Sequence, residues 1–292
     1  MVAPRGAIVV GLDAGPDSTR GLDWAATAAD RRGLALHLLH AMSAGYSELP
    51  PTPAEHREMR NRAESLLAHA CARIECSHDV AVTTEVVERS PAPALIAASE
   101  KASMAVVGAR GHGALFGLML GSVSRHVAQY ARCPVVVVRE QADPAQRRIV
   151  VGVDGSPGSD EALGFAFETA AGQDAPLVAV LAWHERGAGT FGIGAPDRAK
   201  AAERIEAGER LLDGALAAWR ARYPDVDLTR EVVPGHPARV LADASAQSAL
   251  VVVGSRGRGE FAGLLLGSVG QSVLHHARCP VAVVHRPVPR TR

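Results

Sequence analysis

Residues 106–138 read VVGARGHGALFGLMLGSVSRHVAQYARCPVVVV, and residues 252–284 read VVGSRGRGEFAGLLLGSVGQSVLHHARCPVAVV. At a constant offset of 146, 20 of these 33 positions are identical. Unrelated stretches of average composition would share about two or three. The openings repeat as well: IVVGLDAGPDS (8–18) matches IVVGVDGSPGS (149–159) at an offset of 141. One domain has been duplicated within the chain. The 292 residues split into halves of about 146, an ordinary domain size. The polar stretch Arg139–Arg148, REQADPAQRR, reads as the linker. Domains are expected over residues 1–140 and 147–288.

Within the first unit, short β-branched runs alternate with helical periodicities. Strands are predicted at Ala7–Leu12, Leu34–Ala41, Val80–Val87, Met104–Val107 and Val135–Val138. Helices are predicted at Ser18–Arg32, Ala54–Ile74, Pro93–Glu100 and Ser122–Tyr130, with Leu22, Ala25, Ala26 and Ala29 marking the inner face of the first. The second unit repeats the order, with strands near Ile149–Val153, Leu177–Ala182, Leu228–Val233, Leu250–Val253 and Val281–Val284. Alternation of this kind predicts right-handed crossovers and an α/β fold: two doubly wound domains, each a parallel sheet covered on both faces. The Pro- and Gly-rich stretches Ser43–Pro53 and Glu185–Lys200 are expected to be long loops over the sheet edge.

Lys+Arg and Asp+Glu both number 31. A general nucleic-acid or anionic-membrane binder would carry a basic excess, so neither is expected; a local cationic pocket is not excluded. No apolar run approaches the roughly 18 residues that span a bilayer. The four cysteines are too few for a disulfide framework, and Cys71 and Cys76 have poor zinc spacing, so no metal site is expected and the address is a reducing cytoplasm. There are two lysines, Lys101 and Lys200, and no Gly-Lys pair, which removes the P-loop class. Gly257–Ala262 nominally fits a dinucleotide fingerprint, but it lies near the end of its domain with no acidic residue some 20 positions on.

Open parallel sheets bind ligands at the carboxyl ends of their strands. Two features fall there in each unit. One is an aspartate after the first strand, Asp13 and Asp154. The other is a glycine loop after the fourth strand: Gly108-Ala-Arg-Gly111, nine residues, then Gly121-Ser122; and Gly254-Ser-Arg-Gly257, nine residues, then Gly267-Ser268. Glycines permit positive φ and close backbone approach. Successive amides form anion nests, and a helix N-terminus favours phosphate. Ser122 and Ser268 stand where a helix begins and would either cap it or bond a phosphate oxygen. The two glycine clusters fit an extended anion such as a triphosphate. Structural turns alone would account for the same glycines, and duplication copies structural and functional features alike.

The G-x-x-G, nine residues, G-S pattern, the following A-R-C-P-V-V-V-V and the opening I-V-V-G-V-D-G-S resemble the universal stress protein family. The resemblance covers Ala7–Val138 and Arg148–Val284. It implies five-stranded domains of order 3-2-1-4-5 and, through the glycine motif, the ATP-binding branch. Carried over by position, the first ATP site would use Gly11, Asp13, Gly108, Gly111, His112, Gly113, Gly121, Ser122, Val123 and Ser124, with Ala41 near the adenine. The second would use Gly152, Asp154, Gly254, Gly257, Arg258, Gly259, Gly267, Ser268 and Val269, with Ala182 near the adenine. Mg²⁺ is the expected accompanying cation, held in part by Asp13 and Asp154. The halves differ where Ala14-Gly15 faces Gly155-Ser156, Ala109 faces Ser255, His112 faces Arg258 and Ser124 faces Gly270; the second site is expected to be the tighter. Arg110 and Arg256 point to phosphate or to solvent, and the sequence does not choose.

The resemblance implies a nucleotide-dependent regulator of stress response or growth that acts by binding, with slow Mg-dependent ATP hydrolysis as the enzymatic alternative. The last strands, Val135–Val138 and Val281–Val284, are expected to pair the two domains with each other, and a homodimer is a further expectation. Adenylyl transfer is a poor fit, because the loop after the first strand reads Asp13-Ala-Gly-Pro-Asp-Ser18 rather than S-G-G-x-D-S. A nucleotide-free interaction module would follow if both glycine loops were structural.

Overall fold

The computed structural model describes residues 4–42, 51–111, 120–139, 145–184, 198–257 and 266–286. Its contacts divide the chain into two compact units, Met1–Gln141 and Ala142–Arg286.

The first unit runs β1 (Ile8–Gly11), α1 (Pro16–Arg32), β2 (Leu36–Ala41), α2 (Pro53–Glu75), β3 (Val82–Val87), α3 (Pro91–Ser99), β4 (Met104–Gly108), α4 (Ser122–Tyr130) and β5 (Val135–Val138). All four strand pairings are parallel and give the order β3-β2-β1-β4-β5. Ile8, Val9, Val10, Leu36, Leu38, Met104, Val106, Val135 and Val136 are fully buried. Uninterrupted apolar strands of this kind need cover on both faces. One face is covered by α1 and α2, the other by α3 and α4. Leu22, Ala25, Ala26 and Ala29 form the buried stripe of α1, as the periodicity predicts. Their small side chains let the helix lie close over β4.

The second unit repeats this with β6 (Ile149–Gly152), α5 (Pro157–Gln173), β7 (Leu177–Trp183), α6 (Arg198–Arg222), β8 (Leu228–Pro234), α7 (Pro237–Ala244), β9 (Leu250–Gly254), α8 (Ser268–His276) and β10 (Val281–Val284). Its sheet is parallel, ordered β8-β7-β6-β9-β10.

Helix starts are set by proline more sharply than the sequence reading allowed. Pro16, Pro53, Pro91, Pro157 and Pro237 each stand in the first helical turn, where the missing N–H costs nothing and φ is already helical. So α1 and α3 begin at Pro16 and Pro91, two residues before the expected Ser18 and Pro93. Pro53 and Arg198–Lys200 likewise belong to α2 and α6, not to the loops expected there. Of the rest of those loops, residues 43–50 and 185–197 lie outside the described residues. Thr52 closes a capping box with Glu55 at the head of α2. Among the described residues, no helix is long and apolar enough to cross a membrane.

In each unit the chain builds outward from its first strand, then returns to the other side of it. The change of direction falls between β1 and β4, and between β6 and β9. At that point helices leave the sheet on opposite faces, and a crevice opens at the carboxyl ends of the strands.

Candidate functional site

The crevice of the first unit is a cavity of about 430 Å³, within the range that suits a small organic ligand. It is assembled from the ends of β1, β2 and β4 and the starts of α3 and α4. Its lining is divided. Leu12, Leu39, Ala41, Pro91, Leu95 and Val107 supply apolar surface, and the glycine loop, Asp13, Arg110 and the first turn of α4 supply polar groups.

Asp13 is held by its own loop. Its Oδ1 accepts from the Gly15 N–H at 2.8 Å, the Ser18 hydroxyl donates to its carbonyl at 2.9 Å, and its N–H donates back to Ser18 Oγ at 3.0 Å. Its Oδ2 faces the glycine loop: a Cβ built on Gly111 would stand 3.0 Å from it. The amides of Ser122, Val123 and Ser124 precede the first intrahelical bond of α4, which runs from Arg125 N–H to the Gly121 carbonyl at 3.0 Å. Gly121 is the cap residue, with no side-chain cap bond, so the Ser122 hydroxyl is not used to cap its helix. The Ser124 hydroxyl is turned inward, 2.8 Å from the Ala109 carbonyl and 3.0 Å from that of Gly121, and holds the two glycine clusters together.

The loop glycines are there for close approach. Positive φ was the other property expected of them, and none of Gly108, Gly111, Gly121, Gly254, Gly257 and Gly267 has it. A Cβ on Gly108 would stand 2.7 Å from the Asp17 carbonyl carbon and 2.8 Å from Ser18 N; one on Gly254 would stand 2.5 Å from the Gly158 carbonyl oxygen. These two glycines seat the loop on the first turn of α1 and of α5. Gly11 and Gly152 make room for a leucine: a Cβ on either would stand 2.8 Å from Leu95 Cδ1 or Leu241 Cδ1.

All of the described positions expected for the first site, Gly11, Asp13, Ala41, Gly108, Gly111, Gly121, Ser122, Val123 and Ser124, line this one cavity. His112 and Gly113 lie outside the described residues, as do Arg258 and Gly259. In the second unit Gly152 and Gly254 close β6 and β9, Ala182 is the last residue but one of β7 at the same end of the sheet, and Ser268 and Val269 open α8. Asp154 Oδ1 accepts from Ser156 N–H at 2.9 Å, and its Oδ2 would stand 2.5 Å from a Cβ on Gly257. Gly267 donates to the Ser255 carbonyl at 2.7 Å, as Gly121 does to that of Ala109 at 2.8 Å.

The sequence reading missed Leu12, Ser18, Leu39, His40, Pro91, Leu95 and Val107, and left Arg110 undecided. Most of these are strand ends or helix starts beside positions it did name. His40 is fixed by a 2.8 Å contact of Nδ1 with the Leu12 carbonyl. Arg110, which lines the cavity with its side chain partly exposed, is held on α1: its Nε donates to Asp17 Oδ2 at 2.9 Å and its Nη2 to Oδ1 at 3.3 Å. Among the described residues, no three His, Cys, Asp or Glu side chains group as a metal site.

The model of the universal stress protein family matches residues 5–139 and again residues 146–285. The chain belongs to the universal stress protein family. A universal stress protein of Mycobacterium tuberculosis strain H37Rv is 39% identical over 288 residues, covering 94% of this chain and 95% of that one. A universal stress protein of Mycolicibacterium smegmatis is 36% identical over 287 residues, covering 95% and 96%. The crystal structure of a universal stress protein from Archaeoglobus fulgidus superposes with a TM-score of 0.72 at 21% identity, covering 96% of both chains, so the two share a fold. The tandem universal stress protein arrangement thus extends over nearly the whole chain.

Proposed function

We propose that each unit binds ATP in its crevice, and that the chain works as a nucleotide-dependent regulator of stress response or growth. The observation that carries this reading is the divided lining of the 430 Å³ cavity. A nucleotide has one apolar, planar end and one polyanionic end, and the lining offers apolar surface for the first and N–H donors for the second.

The base lies against Leu12, Leu39, Ala41, Pro91, Leu95 and Val107. The phosphates lie on the amides of Ser122, Val123 and Ser124 and on the glycine loop, where unpaired N–H groups and the helix dipole oppose their charge. The Ser122 hydroxyl is a further donor. Mg²⁺ takes one or two carboxylates and fills its remaining positions with phosphate and water. A single aspartate with one oxygen turned to the phosphate loop, Asp13 or Asp154, fits that demand. When bound, the ion neutralises part of the tail's charge. The second unit's matching first-turn, glycine and aspartate geometry supports a second site of the same kind. Four free thiols suit a reducing compartment such as the cytoplasm.

The test is calorimetry of the full chain with ATP, with and without Mg²⁺, alongside mass spectrometry of nucleotide released from the freshly purified, heat-denatured protein. Two ATP equivalents per chain are expected, with chelation weakening the affinity. A chain that binds no ATP in either condition overturns the reading. Following product in the same cell reports whether bound ATP is also slowly hydrolysed.

A further inference from the structure

The two units anchor their phosphate loops differently. In the first, Arg110 is clamped onto Asp17, whose carboxylate is 1% exposed. Arg20 holds the same carboxylate, Nη1 to Oδ1 at 2.6 Å, and also donates to the Arg139 carbonyl at 3.2 Å. Two guanidiniums thus balance one buried charge. Drawing Arg110 away would leave that charge short of a partner in the interior, a strongly unfavourable change.

The second unit has no such clamp. The positions of Asp17 and Arg20 are taken by Gly158 and Glu161. Gly158 carries no side chain, and a Cβ there would collide with the Arg256 carbonyl. The loop main chain has settled onto α5 in the space the carboxylate would need. Arg256, which occupies the loop position of Arg110, is exposed, and its side chain makes no hydrogen bond or ion pair among the described residues. The first-unit counterpart lines the cavity, so the second unit carries, on the matching loop residue, a guanidinium that no described residue neutralises.

We infer that the two crevices sort nucleotides by the number of phosphates: the second favours a nucleoside triphosphate over a monophosphate through Arg256, and the first, whose Arg110 is already neutralised by Asp17, discriminates far less. The inference rests on the ATP reading above and adds a ligand preference to it. A guanidinium is the side chain suited to this, since its fork pairs with two phosphate oxygens at once and stays charged at all working pH values. A monophosphate, held by the helix N-terminus alone, gains little from it.

Titrations of full-length chain with ATP and with AMP test it, one crevice at a time. Gly111→Val blocks the first crevice and Gly257→Val the second. In the Gly111→Val chain, Arg256→Gln should weaken ATP about tenfold or more, the scale of one charge-assisted contact, and leave AMP within about twofold. In the Gly257→Val chain, Asp17→Asn should release Arg110 and raise the preference for ATP over AMP by a similar factor. Should Asp17→Asn fail to give a native thermal transition, the exposed Arg256→Gln variant decides alone. Equal losses of ATP and AMP in Arg256→Gln, or no loss of either, overturn the inference while the ATP reading stands. A parent chain that binds neither nucleotide removes both.

Discussion

Gly108 and Gly111 lie three residues apart in one loop, yet the structure gives them separate duties that an alanine at each would expose. At Gly108 the added Cβ meets main-chain atoms of Asp17 and Ser18 at 2.7 and 2.8 Å. Backbone cannot rotate away as a side chain can, so α1 must back off the sheet. Overpacking of that kind costs about 1–3 kcal/mol. A domain of this size loses about 3–4 °C of Tm per kcal/mol, so Gly108→Ala should lower the midpoint by about 3–12 °C. At Gly111 the added Cβ meets one atom, Asp13 Oδ2, at 3.0 Å, and the residue is exposed with no positive φ. Alanine at an unstrained glycine stabilises by about 0.4–1 kcal/mol through the unfolded chain, so Tm should hold or rise slightly. Ligand binding should suffer, because the methyl stands on the cavity wall and presses on the aspartate. Loss of one charged contact costs about 1.5–3 kcal/mol, or about 10–150-fold in Kd. Differential scanning calorimetry without ligand and ATP titration in the Gly257→Val background read the two effects separately. Equal destabilisation by both alanines, or an ATP Kd within about threefold of the parent in Gly111→Ala, would refute the division of labour.

The cysteines and His37 give two further expectations. Cys76 is exposed and Cys71 half-buried, while Cys133 and Cys279 are buried with thiols pushed by desolvation up to about 12; at pH 8 a thiol reagent should label Cys76 fast, Cys71 more slowly and the other two only on unfolding, and prompt native labelling at all four would contradict the packing. His37 lies between Thr83 and Glu85, and burial lowers its pKa below 6.5 despite the opposing pull of Glu85. Below pH 6.5 the unfolded chain therefore takes up the proton first, so stability should fall as pH drops from 6.5 towards the folded-state value. Urea midpoints of His37→Gln should lack that component, and parallel pH profiles for variant and parent would show it is not there.

Much of the fold was legible because the strands nearest the middle of each sheet, such as β1, β4, β6 and β9, are unbroken apolar runs and the chain states its plan twice. Val135–Val138 and Val281–Val284 were placed to the residue, since Pro134 and Pro280 fix one end of each. Two helix starts were set two residues late, at Ser18 and Pro93, although the first-turn prolines Pro16 and Pro91 carried the signal. The polar half of the site was readable from glycine spacing, yet the reason for those glycines was only half right. What Gly108 and Gly254 accommodate is neighbouring main chain, and what Gly111 and Gly257 face is an aspartate side chain, which no local pattern announces. The apolar half needed three dimensions, because Leu12, Leu39, Leu95 and Val107 come from four separate segments. The pairing of Arg110 with Asp17 spans 93 residues of sequence, and nothing near either residue points to the other.

An assembly of identical subunits cannot alter one of its pockets alone, since a single codon change appears in every copy. Here Asp17 in one repeat and Gly158 in the other are encoded separately. Gene duplication has thus freed each crevice to drift by its own mutations, so that a single polypeptide can carry two unlike crevices at a fixed one-to-one ratio.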